Sequence, residues 1–431
     1  MNSSVISRRR FVHSTGALGA VLALGKPPAL LPAESPGNRI VVGVMGLSRG
    51  MAHVAGHLGA SNVEVGYVCD VDSARLARGG KTAEDKQPTR KVQAVGDFRR
   101  ILDDKNVDAI SIATPNFWHT PAAILAMQAG KHVYVEKPGS HNPWEAEAIV
   151  AAAAKYKRKC QMGNQRRSYA NVIEAVQKLR EGVIGKVLFS RSYYNGARGS
   201  IKKGQPTPVP ETLNWQLWQG PTPERPYKDN LHPYNWHWHW HYGGGEMANN
   251  GVHALDVCRW GLGVDYPTKV TFLGGRYHFD DDQETPDTGS AVYDFGHCGA
   301  SWDDSSCNAR KGEKNPFVSF YGDKGMMTMS GGNDYIVYDL NGKETDKKSG
   351  GPGGGDVPHF QNFADAIREN KPLNSDIREG QKSAQLCHLA NIAYRTNSVL
   401  NIDPKTGRIL GNPEAQKLWK REYRPGWEPK V

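Results

Sequence analysis

Cysteine is scarce in this chain, with six in 431 residues, too few to staple a protein of this size with disulfides. Cys298 and Cys307 lie close enough in sequence to pair across a hairpin in an oxidising compartment, and the others read as scattered buried thiols. Long apolar runs are also missing. Spanning a bilayer takes about 20 apolar residues, and no segment reaches that length, so no membrane anchor is expected in the mature form. Nor is there a concentrated basic stripe of the kind that grips a phosphate backbone, which argues against a nucleic-acid partner. Internal repeats are absent. What is present is an ordinary globular composition, 38% hydrophobic and 23% charged, on a chain long enough for about two domains with full cores.

Residues 1–33 have the character of an export signal. Ser7, Arg8, Arg9, Arg10 and Phe11 resemble a twin-arginine motif, followed by an apolar stretch from Gly16 to Leu24 and small residues up to Ala33. The expectation is a periplasmic or otherwise exported protein that meets the twin-arginine machinery. Cleavage there removes Arg8, Arg9, Arg10 and Lys26 and no acid, so the formal charge falls from +10 to +6.

Behind that segment, Arg39 to Met45 (RIVVGVM) is a short β-branched run that leads into Gly46, Ser48 and Gly50 and then a stretch able to be helical. Such a turn lets backbone N–H groups approach a pyrophosphate at a helix N-terminus. The spacing departs from a strict GxGxxG, with Gly43, Gly46 and Gly50 as its glycines and Ser48 and Met51 where later glycines would stand. Gly43, Gly46, Ser48, Arg49 and Gly50 are the candidate phosphate-side contacts. Asp70 closes the second apolar strand, Val63 to Cys69, 24 residues after Gly46, about where a carboxylate accepts from the ribose hydroxyls of NAD. A carboxylate there repels the extra phosphate of NADP, so NAD is expected; Arg75 keeps NADP open.

Val107 to Pro138 reads as strand, turn, helix, strand, and ends in Glu136, Lys137 and Pro138. Ligands of open α/β sheets bind beyond the carboxyl ends of the strands. The runs AISIATP and HVYVEKP deliver Thr114, Pro115, Asn116, His119, Glu136 and Lys137 to that edge. The alternation continues through Asp97, an N-cap for FRRILDD, the Ala-rich helix Trp144 to Tyr156 and the strand Cys160 to Gly163, followed by Gln165 and Arg166. A helix Ala170 to Glu181 links to a strand-rich second half, with strands at 187–193, 269–277, 289–295, 316–321 and 335–338, and terminal helices at 359–369 and 381–396. Residues 206–226 and 350–355 read as loops.

In that half, GGGEMANNGVHALD (243–256) sets Asn249, His253 and Asp256 at helical spacing, so all three can share one face. Tyr234 to Tyr242 reads YNWHWHWHY. On a strand His237, His239 and His241 would share one face, but no cysteine or carboxylate stands at ligand spacing, so sugar stacking is preferred to a metal.

Taken in order, GVMGLSRG, CDVD, ATPNFWHT, VEKP, GNQRRS, GGGEMANNGVHALD and VSFYGDKGMM resemble the glucose-fructose oxidoreductase and inositol dehydrogenase family, Gfo/Idh/MocA, over nearly everything after residue 38. The resemblance implies an N-terminal Rossmann domain (34–165) and a C-terminal α+β domain (166–431) with a large, open, mainly antiparallel sheet that often forms an oligomer contact. The helices at 359–397 would pack back on the core, and the protein would be a dimer or tetramer. It implies that His253 is the base taking the hydroxyl proton while the carbinol carbon gives hydride to NAD, and that Lys137 bridges the nicotinamide ribose and the reacting hydroxyl, binding cofactor and stabilising the developing alkoxide. The family typically has an Asp one turn before this His. Asn249 cannot relay a proton, so it is assigned a substrate hydrogen bond, and any orienting carboxylate must come from Asp256 or Glu246. Gln165 and Arg166 are expected near nicotinamide ribose or substrate, though Arg166 and Arg167 could equally be surface charge. Trp215, Trp218, Arg225 and Tyr227 resemble a loop that walls the pocket in the exported branch, joined by Trp236 and His239.

Two activities follow. One is a plain oxidoreductase acting on a sugar, glycoside or cyclitol with tightly bound NAD. The other is a redox-neutral hydrolase or lyase, in which NAD transiently oxidises a ring hydroxyl so that a glycosidic substituent can be eliminated. The periplasm offers no NAD pool, which suits a cofactor recycled in place. The known NAD-dependent α-N-acetylgalactosaminidases of the superfamily lack the Glu-Lys-Pro signature found at Glu136 to Pro138, so the oxidoreductase is preferred. A fold that has lost its chemistry is disfavoured by the presence of both Lys137 and His253.

Overall fold

The run IVVGVM forms β1 (Ile40–Met45), and all six of its residues are buried. A strand hidden on both faces belongs to a parallel sheet covered by helices on each side. The computed structural model describes residues 38–88, 90–350 and 355–431, so the proposed signal segment lies outside the described residues. Around β1 stand β2 (Val63–Cys69), β3 (Gln93–Val95), β4 (Ala109–Ile112), β5 (His132–Val135) and β6 (Cys160–Met162), in the order β3-β2-β1-β4-β5-β6 with every pairing parallel. The order reverses between β1 and β4, and a crevice opens beyond their carboxyl ends at that switch point. The N-cap of the short helix Arg99–Asp103 is Phe98 rather than Asp97, which sits one residue earlier and accepts from the Arg99 N–H at 3.0 Å.

The second sheet has ten strands: β7 (Val187–Asn195), β8 (Lys269–Gly275), β9 (Thr288–Asp294), β10 (Gly299–Ser305), β11 (Val318–Gly322), β12 (Gly325–Met329), β13 (Tyr335–Asp339), β14 (Glu344–Lys348), β15 (Leu400–Ile402) and β16 (Ile409–Leu410). Only β7 and β10 run parallel; the other neighbours are antiparallel. One face packs on the helix Val252–Leu262, through Phe320 and Trp302 among others. The opposite face leaves Leu273, Val292 and Tyr321 exposed.

Two late helices complete the first sheet. Val357–Glu369 lays Phe360 on Gly56, His57 and Tyr134, closing a cluster with Ile40, Val42 and Ala109. Ile377–Arg395, capped by the Asp376 carboxylate, buries most of its length between the helix Pro143–Tyr156 and β8. Among the described residues no helix is long and apolar enough to cross a membrane. Cys298 and Cys307 are both free thiols, so the hairpin pairing considered from sequence is not made.

Candidate active site

A cavity of about 500 Å³ opens at the switch point. Its first wall is the turn after β1. Gly46 adopts φ +88°, and a Cβ there would stand 2.7 Å from the Ala113 carbonyl oxygen, so only glycine lets the chain pass this close to the end of β4. Gly50 opens the helix Gly50–Leu58, where a Cβ would meet Val44 at 3.1 Å, while Gly43 sits back in the strand under Ile101. Ser48, Arg49 and the positive end of that helix face the cavity, an anion-binding arrangement. Gly46→Ala combines an unfavourable φ with a backbone clash, together about 1–3 kcal/mol. It is expected to weaken nucleotide retention tenfold or more, read as nucleotide released per mole of purified protein; full retention would show that the turn does not hold nucleotide.

Asp70 also lines the cavity. One of its oxygens accepts from the Leu47 N–H at 2.7 Å and the other from the Asp72 N–H at 2.9 Å, so the carboxylate fastens the glycine turn and keeps lone pairs toward a ribose. Burial raises its pKa. Arg75 stands beside it on the same wall, with Asp72 3.6 Å away.

The strand ends supply the floor. Thr114, Pro115, Asn116 and His119 all line the cavity. His119 Nε2 shares a hydrogen bond with the Thr114 carbonyl at 2.8 Å, and burial presses its pKa down to about 4. Its Nδ1 and the Thr114 hydroxyl are buried without a protein partner. Such orphans are rare and costly unless a ligand satisfies them. With the glycine cradle, they fit a nicotinamide dinucleotide.

Glu136 is the hub. Its Oε1 accepts from Arg49 Nε at 2.9 Å and Gln165 Nε2 at 3.3 Å and lies 3.1 Å from His53 Nε2, while Oε2 accepts from the Lys137 N–H at 3.0 Å. His53 and Arg49 together hold the carboxyl well below the usual range against the cost of its burial. The sequence reading missed His53. It lies fully buried on the inner face of the helix Gly50–Leu58, with Ser111 Oγ 2.9 Å from its other ring nitrogen. Asp356, also unforeseen, pairs with Arg49 at 2.6 Å across the cavity mouth.

Lys137 Nζ donates to the Asn249 carbonyl at 2.8 Å and to Asn249 Oδ1 at 3.1 Å. The Asn249 amide in turn donates to Glu246 Oε1 at 3.3 Å. Both ends of the side chain thus have a partner within the protein, and beside the expected substrate contact Asn249 is placed to position the lysine. Met247–Gly251 forms a π-helical turn ahead of the α-helix Val252–Leu262, a local widening that often marks functional sites. Asn249 and His253 both reach the cavity, but Asp256 does not share their face. It is buried against Arg167, with contacts of 3.0, 2.9 and 2.8 Å, so Arg167 is no surface charge. Neither Asp256 nor Glu246 is bonded to His253. Burial, then the charges of Arg166 and Lys137, push the His253 pKa well below the free value rather than leaving it near 6.5.

The other expected contacts divide. Gln165 and Trp236 line the cavity. Arg166 stands behind it, over the Phe317 ring and bonded to the Gly331 carbonyl at 2.9 Å. Trp215 is a backing layer, stacked 4.6 Å from Trp218 and edge-on to Tyr227, and it is Trp218 that reaches the cavity. Arg225 faces a different cavity. The histidine run is not a strand: Asn235–Trp238 is a 3-10 turn. His237 reaches the main cavity, stacked on Trp236 at 3.5 Å; His239 turns to Glu284 at 3.8 Å; and His241 meets the Pro223 carbonyl at 2.9 Å. The three histidines therefore share no face. Tyr234, at the start of the stretch read as sugar-stacking, and His232, which was not foreseen, complete the rim.

Comparison with known proteins agrees with this layout. A glycosyl hydrolase family 109 protein of Saccharopolyspora erythraea is 29% identical over 214 residues, spanning 44% of this chain and 46% of that relative, so the match covers about half the relative's length. Among solved structures, the WlbA dehydrogenase of Bordetella pertussis, in complex with NADH and UDP-GlcNAcA, superposes with a TM-score of 0.64 at 18% identity, covering 85% of this chain and 99% of that one. A levoglucosan dehydrogenase in complex with NADH superposes with a TM-score of 0.67 at 17% identity, covering 85% and 99%. Two family profiles match in sequence order, an NAD-binding Rossmann fold of an oxidoreductase family over residues 38–164 and that family's C-terminal α/β domain over residues 193–429. The chain belongs to the Gfo/Idh/MocA oxidoreductase family.

Proposed function

We propose that the protein is an NAD-dependent oxidoreductase that moves hydride between a carbohydrate or cyclitol hydroxyl and a tightly held nicotinamide. The observation that carries this is the convergence of a lysine, a neutral histidine and a glycine cradle on one cavity. When bound, the nicotinamide supplies the hydride acceptor. Lys137 donates to the reacting oxygen and stabilises negative charge as it develops, held in place by the Asn249 carbonyl and amide. His253 takes the hydroxyl proton. Trp236, Trp218 and His237 wall off water and offer flat faces to a sugar ring. Asp70 favours NAD over NADP. Denaturing the protein and weighing the released nucleotide tests this; NADP would overturn the preference.

Because its surroundings disfavour the imidazolium, His253 is neutral and ready as a base even in mildly acidic solution. The acidic limb of the kcat/KM profile is expected below about pH 6.5, the free imidazole value. Asn249→Asp places an anion beside the lysine and within reach of the histidine, stabilising the imidazolium and moving that limb upward. A limb that does not move would remove His253 from the role.

The hydrolytic reading is supported by the glycosyl hydrolase family 109 relative. The two separate cleanly. An oxidoreductase offered a sugar builds up reduced nicotinamide and a ketosugar without solvent exchange. A hydrolase releases sugar from a glycoside with flat nicotinamide absorbance, and solvent deuterium enters beside the oxidised carbon. The arginine motif Ser7 to Phe11 supports export, and the exposed Leu273, Val292 and Tyr321 support a homo-oligomer through the open sheet face.

A further inference from the structure

A second cavity, of about 350 Å³, lies on the other side of the glycine turn that precedes Glu246, with Gly243 and Gly244 in its wall. Its charge is one-sided. Arg225, Arg395, Lys420 and Arg421 line it, against Glu422 as the one lining carboxylate. Arg421 is paired with Glu145 at 2.8 Å and Lys420 with Glu428 at 2.5 Å, whereas Arg225 and Arg395 make no ion pair among the described residues. The nearby Glu284 is already bonded to the Trp240 N–H at 2.7 Å and lies 3.8 Å from His239.

The wall also holds unanswered donors. Asn142 is 6% exposed; its carbonyl oxygen caps the helix Pro143–Tyr156, but its Nδ2 has no partner. Arg421 Nη1 is buried and unpartnered as well. A buried donor without an acceptor costs about 1–3 kcal/mol, and two of them on one basic cavity, beside a helix N-terminus, call for an acceptor from outside the chain.

We propose that this cavity is a second binding site, for the oxyanion of a small ligand, gripped by Arg225 and Arg395 and separate from the main cavity. Arginine pairs are the usual partners of carboxylate, sulfate and phosphate, and glucuronate, inorganic sulfate and inorganic phosphate are the three probes that distinguish these sources. The experiment is calorimetric titration of the full protein with its nucleotide in place. The expected result is saturable one-to-one binding of at least one probe, weaker at higher salt, and at least tenfold weaker in the double variant Arg225→Ala, Arg395→Ala. Both side chains are exposed, and the variant is expected to keep its nucleotide. Two results would overturn the site: no saturable binding of any probe, or binding that the double variant leaves unchanged.

Discussion

Lys137→Ala is expected to reduce kcat by about 100-fold or more, the scale of losing one preorganised donor to developing charge, while nucleotide content stays at the wild-type level. Retention follows from how Glu136 is held. Its contact with residue 137 is to the backbone N–H, which alanine keeps, and its other partners, Arg49, His53 and Gln165, do not involve the lysine side chain. What alanine removes is the ammonium that bonds to Asn249. Single-turnover kinetics with a measured nucleotide content make the check. Unchanged turnover would move the chemistry elsewhere in the cavity, and loss of nucleotide would show that the lysine's contact with the cofactor is needed for retention and overturn the expected split.

Asp256→Ala is expected to cost about 3–5 kcal/mol of stability, the range for removing one member of a buried pair. Arg167 and Asp256 are 6% and 1% exposed, and the carboxylate also accepts from Ser383 Oγ at 2.6 Å. Without it, the guanidinium is left charged and out of water next to Trp260. A shift of the urea midpoint at constant slope measures the loss, and a change under about 1 kcal/mol would mean that water or another carboxylate takes over.

The parallel sheet was legible because strands buried on both faces print as continuous apolar runs, as IVVGVM and VEVGYVC do. Half of the second sheet was legible too, but β10, β12, β14 and the short β15 and β16 were not. GASWDDS opens on glycine and carries adjacent acids, one of which, Asp304, is buried under the indole N–H of Trp302. ETDKK, at the sheet edge, has almost no apolar residue to announce it. In the site, Lys137 and His253 were found through motifs whose order survives in the chain. His53 and Arg167 escaped because their meaning lies in partners 83 and 89 residues away. The spacing of Asn249, His253 and Asp256 assumed an unbroken α-helix, and the π turn at Met247–Gly251 broke it. The histidine run alternates as a strand would, yet Asn235–Trp238 folds as a 3-10 turn in which His237 stacks on its neighbour Trp236.

Phe360, brought onto the first sheet by the helix Val357–Glu369, sets a schedule for synthesis. As the chain leaves the ribosome, strands β1 to β6 are complete when about two fifths of it has been made, yet Tyr134, Ile40 and Ala109 lack their cover until residue 360 emerges. Domains generally fold as units, and a sheet with exposed apolar surface is prone to stray association. The nucleotide-binding half therefore ripens late, with about five sixths of the chain already made. A fragment ending near residue 165 would present a bare apolar face where Phe360 and Phe363 belong, and would be collected as aggregate rather than as a soluble dinucleotide-binding domain.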